Sequence, residues 1–264
     1  MKKFFLFFLL TNLYSSEKIS LLYQEYLKNP ENLSVIKKLA ISYKEMRDFN
    51  KAIDFYKLVL EKEPDNPFNH YELALCYKLK GRPDKALEIT TNALFYFENN
   101  DRLNILKADI LLDIGKVALA LDIYNKYKDS CDKLDKKAYI FGKMGRCYLE
   151  LKDYKNAECY LIESLRMKAN SWNYYYLSKL FEEKKNIDSA LWAIKKALAY
   201  SKKDEFEDEL FNKRLNYLLY NKGIIFKDKG ENEKAKEIFD ELVSKNRLKT
   251  CIYVEKANYW RKRL

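Results

Sequence analysis

LSVIKKLAISYKEMRDFNKAIDFYKLVLEKEPDN, residues 33–66, is the stretch on which the fold turns. Ile36, Leu39, Ala40 and Tyr43 recur at i, i+3, i+4 and i+7, which puts them on one stripe of a helix. Asp48 and Asn50 break that stripe, and Asp48 stands where an N-cap for a second helix belongs. Ala52, Tyr56, Val59 and Leu60 give the second helix its own apolar stripe. Ala40 and Ala52 are small enough to let the two axes approach closely. Pro64 ends the second helix, because it has no N–H to donate to the ladder. Two helices this short cannot bury enough surface alone and must stack on neighbours.

The pattern returns five times. The small residue of each second helix marks the register as Ala52, Ala86, Ala120, Ala157, Ala190 and Ala235, at intervals of 34, 34, 37, 33 and 45 residues. Two successive intervals of 34 are the signature of a repeat architecture. The first-helix stripe recurs as Leu73, Ala74 and Tyr77, as Met144, Gly145 and Tyr148, as Tyr174, Leu177, Ser178 and Phe181, and as Leu219, Gly223 and Phe226. Turn residues recur too: Gly81 with Pro83 after it, then Gly115, Asp153, Asn186 and Gly230. On these residues the chain resembles the tetratricopeptide repeat (TPR) family over about residues 17–264. The resemblance implies an all-α right-handed superhelical solenoid of antiparallel helix pairs.

The expected organisation has six repeats, at 33–66, 67–100, 101–134, 138–170, 171–204 and 205–249. A half-repeat helix at 17–32 precedes them, with Ile19, Leu22, Tyr23 and Tyr26 apolar. A capping helix at 250–264, with Tyr253, Ala257 and Trp260 at first-helix spacing, follows. Repeat three departs most from the pattern, with Asn104 and Lys107 at positions usually apolar. Three extra residues near 135–137 lengthen a loop. The eleven extra residues 205–215 equal about three helical turns, so they extend the first helix of repeat six backwards with its face in phase. Phe206, Leu210, Leu218 and Leu219 are the expected stripe, and 202–204 the loop leading in.

Residues 1–16 carry Lys2 and Lys3, an apolar run from Phe4 to Leu10, and small residues Ser15 and Ser16. That is the layout of a secretory signal peptide, too short to span a bilayer. It predicts an exported, periplasmic or envelope protein with no transmembrane helix in the mature chain. An uncleaved hydrophobic N-terminus on a cytosolic protein is the other reading. The five cysteines, Cys76, Cys131, Cys147, Cys159 and Cys251, lack CxxC spacing, which removes zinc and thioredoxin-like readings. Free thiols fit a reducing compartment better than an oxidising one; Cys147 and Cys159 are the one pair placed to form a bridge.

The net charge is +11, but only nine of the 50 basic residues are Arg, and the lysines are scattered among 39 acidic residues. Solvated helix faces account for that better than a phosphate-binding stripe. His70 is the only histidine, at an early core position of repeat two, so neither a Ser-His nor a Cys-His nucleophile has its full set of partners. With no metal-spaced cluster and no phosphate-cradling glycine loop, no enzyme, cofactor, metal site or small-molecule substrate is expected.

The TPR resemblance instead implies binding of a protein or peptide in a groove lined by the first helices, at positions the core stripe leaves free. Carried onto this chain these are Lys37, Ile41 and Lys44; Phe68, Tyr71, Leu75 and Lys78; Arg102, Ile105, Asp109 and Leu112; Tyr139, Arg146 and Leu149; Trp172, Tyr175 and Lys179; and Tyr217, Tyr220 and Ile224. Aromatic anchors beside scattered cations suit an extended peptide or helix. Trp172 and Tyr217 serve equally well as packing between repeats. Lys37 is followed by Ile41, so the Lys-x3-Asn pair of the carboxylate-clamp subgroup, and with it recognition of a chaperone's acidic C-terminus, is absent.

Overall fold

The computed structural model describes residues 17–129, 133–201, 205–246 and 251–264, apart from the side chains of 205 and 206. The leader, Cys131, the loop 202–204 and the Phe206 side chain therefore lie outside the described residues. Among the described residues there are fourteen helices and no strand, and the chain divides into two compact units, 1–127 and 128–264.

The first unit holds α1 (17–28), α2 (Leu33–Glu45), α3 (Phe49–Lys62), α4 (Pro67–Leu79), α5 (Pro83–Tyr96), α6 (Asp101–Asp113) and α7 (Val117–Tyr127). The second holds α8 (Leu134–Glu150), α9 (Tyr154–Met167), α10 (Ser171–Glu183), α11 (Ile187–Tyr200), α12 (Glu205–Asp228), α13 (Asn232–Lys245) and α14 (Ile252–Arg261). Within each unit every helix from α2 on packs on the next in sequence. First helices also touch first helices, α4 on α6, α8 on α10 and α12 on α14.

The alanine anchors explain the stacking. Ala52, Ala86, Ala120, Ala157, Ala190 and Ala235 are all fully buried, as are Ala40, Ala74 and Ala108 on the facing helices. Glycine takes that facing position where the approach is closest. A Cβ on Gly145 would lie 2.6 Å from Leu161 Cγ, and one on Gly223 would lie 2.4 Å from Phe239 Cε1. Helix starts are set by Asn32, Asp48, Asn66, Asn100, Asp153, Asn170 and Asn186, each accepting from an early backbone N–H.

The turn inside each pair is one motif used six times. Residues 47, 81, 115, 152, 185 and 230 all have positive φ, at the intervals of the alanine anchors. The following N–H returns to the first helix in each, as in Asp48 N to Tyr43 O at 2.9 Å and Glu231 N to Phe226 O at 2.9 Å. Three of the six are glycines; Arg47, Lys152 and Lys185 adopt the left-handed conformation without being glycine.

Several expectations need correcting. Tyr23 is half exposed while Ile19, Leu22 and Tyr26 pack inward. The buried stripe of α12 runs through Phe211, Leu215, Leu218 and Leu219, and Leu210 is only partly buried. Cys147 is buried, Cys159 is exposed, and no disulfide joins them. Repeat three packs fully: Leu103, Leu106, Ile110 and Leu111 are buried, and the Asn104 amide donates to the Glu98 carbonyl at 2.8 Å.

Candidate functional site

In the first unit the first helices α2, α4 and α6 carry the expected binding residues, and most of their charges are already engaged. Lys37 Nζ lies 2.6 Å from Glu63 Oε2, and Lys78 Nζ lies 2.7 Å from Asp113 Oδ2. Lys44 pairs with Glu72, a buried carboxylate that also accepts from the Tyr56 hydroxyl at 3.3 Å. Lys44 and Lys78 each reach into the next repeat, so these lysines tie adjacent hairpins together. A buried Glu72 needs such a partner, since a charge left alone in the interior is strongly unfavourable. The Lys37 ammonium, with the Asn69 amide, holds the Glu63 carboxyl below its usual range.

Asp109 is buried and accepts from the Tyr124 hydroxyl at 2.6 Å, and Ile105 and Leu112 are buried beside it. These three belong to the core rather than to an open face, a correction to their expected place. Leu75 and Tyr71 pack partly against the core. Burial, with the carboxylates of Glu72 and Asp109, pushes the Tyr71 phenol up. What remains open is Ile41, Phe68 and Arg102, the guanidinium standing 5.8 Å from the centre of the Phe68 ring.

In the second unit the open residues are more numerous. Tyr139 and Lys179 are exposed, whereas Leu149 is buried and Ile224 is packed against the core. Arg146 pairs with Glu150 at 2.8 Å and stands 5.7 Å from the Tyr176 ring centre. Trp172 is chiefly a packing residue: its indole N–H donates to Glu207 Oε1 at 2.7 Å and its ring meets Phe211 edge-on at 5.6 Å. Tyr220 leans on Phe239 and Tyr253. Tyr175 and Tyr217 line a depression of about 620 Å³ with Tyr253, Leu210, Glu182, Glu183, Lys185, Lys213 and Arg214. Its walls come from α10, α12 and α14 and from the turn after α10.

Arg214, which sequence reasoning missed, organises this depression. Its Nε donates to Ser178 Oγ at 2.9 Å and its second guanidinium nitrogen to Glu182 Oε2 at 2.8 Å. The cation also stands 5.6 Å from the Tyr175 ring centre. Glu182 accepts a further bond from the Tyr217 hydroxyl, which pushes that phenol up. The signal that could have found Arg214 is its place in the eleven extra residues, four positions beyond Leu210.

His70 Nε2 lies 2.8 Å from the Pro64 carbonyl and its ring rests on Phe97, a packing role at the turn. Burial pushes the Cys76 thiol up to about 12, far from a reactive thiolate. Among the described residues no group of three His, Cys, Asp or Glu side chains could hold a metal, and no helix is long and apolar enough to cross a membrane.

Comparison with known proteins bears on the repeats and the fold. The family model described as "Anaphase-promoting complex, cyclosome, subunit 3" matches residues 45–127, and that described as "Tetratricopeptide repeat" matches 138–171 and 217–244. The BBSome complex member BBS4 of Bos taurus is 29% identical over 133 residues, covering 50% of this chain and 25% of that protein. A TPR repeat-containing protein of Methanocaldococcus jannaschii is 31% identical over 134 residues, covering 51% of this chain and 22% of that one. The chain thus matches only about a quarter of the length of these curated relatives. Among solved structures, PilW, titled a widely conserved type IV pilus biogenesis factor, superposes with a TM-score of 0.66 at 17% identity, over 86% of this chain and 99% of that one.

Proposed function

The chain belongs to the tetratricopeptide repeat family, and from that premise we propose that it is a non-catalytic scaffold holding a protein or peptide segment against its first helices. The observation that carries this reading is the second-unit depression, where Tyr175, Tyr217 and Tyr253 present ring surface beside cations. Rigid amphipathic rings of this kind serve as anchors at interfaces. Phe68 with Arg102 and the exposed Ile41 supply comparable surface in the first unit. The test is a crosslinking pull-down comparing wild type with a Phe68→Ala/Tyr139→Ala/Tyr217→Ala variant whose helicity is checked by circular dichroism. Loss of the captured partners supports the assignment, and capture of the same set refutes it.

The leader pattern of residues 1–16 supports an exported scaffold; a role in envelope assembly rests on analogy with the family alone. The likeness to PilW concerns the fold alone and adds nothing to that role. A cytosolic adaptor with a retained N-terminus is the second reading, favoured by Cys76, Cys147, Cys159 and Cys251 forming no disulfide among the described residues.

A further inference from the structure

We infer that the eleven residues lengthening the front of α12 build a recognition site for an acidic peptide segment carrying one aromatic or large aliphatic anchor. This rests on the scaffold reading and narrows the partner's chemistry. Three walls of the depression, Leu210, Lys213 and Arg214, come from those added turns. The turns are held on α10 at two points. Glu207 accepts from Ser171 Oγ at 2.8 Å and from the Trp172 indole, and Arg214 bonds to Ser178 and Glu182. A preorganised wall keeps its geometry for a ligand and lowers the ordering cost of binding.

The charges divide unevenly. Arg214 and Glu182 neutralise each other at the floor, and Glu183 accepts from the Tyr154 hydroxyl at 3.2 Å. Lys185 and Lys213, both exposed, make no ion pair among the described residues, unlike Lys37, Lys44 and Lys78 in the first unit. Three cations line the depression against two carboxylates; with Arg214 and Glu182 paired, the exposed Lys185 and Lys213 stand beside Glu183 alone, an excess of one positive charge. Ring faces for an apolar anchor flanked by outward lysines complement carboxylates on either side of that anchor.

The test selects ten-residue peptides from a random display library on the immobilised full chain and on its Lys185→Glu/Lys213→Glu variant, both residues being exposed, with the variant's helicity checked by circular dichroism because Lys185 holds a left-handed turn. Enrichment of an aromatic or leucine flanked by Asp and Glu is expected on wild type and is lost on the variant. A synthetic consensus peptide should bind the variant about tenfold more weakly. A neutral or basic consensus, no enrichment, or one consensus for both proteins overturns the inference. The scaffold reading stands or falls separately: natural partners that the aromatic triple variant loses and the charge-reversed variant keeps would remove the acidic class and leave the scaffold intact.

Discussion

Arg47 has a φ of 61°, in the turn position that Gly81 and Gly115 hold in the next two repeats. An L-residue with a Cβ is strained there by about 1–2 kcal/mol, partly offset by the greater unfolded-state freedom of glycine. Arg47→Gly should therefore stabilise the protein by about 0.5–1 kcal/mol, and Gly81→Ala should destabilise it by a similar amount; urea midpoints measure both. At Gly223 the obstacle is contact rather than backbone. The missing Cβ would meet the buried Phe239 ring, so Gly223→Ala should cost about 1–3 kcal/mol through overpacking. Tyr56 links a residue to pH. Burial, with Glu72 nearby, raises its phenol well above the tyrosine range of about 10. A raised folded value means that its contribution is intact below about pH 10 and falls as pH rises beyond it, where only the unfolded chain loses the proton. Tyr56→Phe should flatten that alkaline decline in a series of melts above and below pH 10.

The element that sets this chain apart is α12, with 24 residues where the other first helices have 10 to 17. Its added turns are held by side chains, and Arg214 is the contact to remove. Arg214→Ala would strip bonds from Ser178 and from a part-buried Glu182, leaving that carboxylate with Tyr217 alone. A loss of about 1–3 kcal/mol is expected, with some of the charge effect screened because Glu182 is partly exposed. Lys179→Ala, on an exposed position of α10, should stay within about 0.5 kcal/mol. Equal losses from the two changes in denaturant titrations would remove the special place given to Arg214.

For the whole molecule, the compartment decides which partners the scaffold meets. The export proposal predicts that the native protein begins at Ser16 or Glu17, after a cut following Ser15 or Ser16, as read by N-terminal sequencing or intact mass. A mass that includes Met1 would count against export and for the adaptor.

The sequence by itself determined the repeat, its period and the residues that pack the hairpins. A 3.6-residue periodicity and the spacing of small residues are local signals, and each repeat packs only on its neighbours. Hence Ala52, Ala86, Ala157 and Ala235 could be identified as contact points before any coordinate was known, and all are fully buried. The binding face was less legible. Whether Lys44 meets a partner or Glu72, 28 residues away, depends on side-chain reach between stacked helices, which periodicity does not encode. The same holds for Asp109 turning inward to Tyr124, for Phe211 rather than Leu210 facing the core, and for Arg214 meeting Glu182 across 32 residues. The left-handed turns at Arg47, Lys152 and Lys185 escaped the sequence for a related reason. Their conformation is imposed by the closing bond between the helices, whatever the residue's own preference.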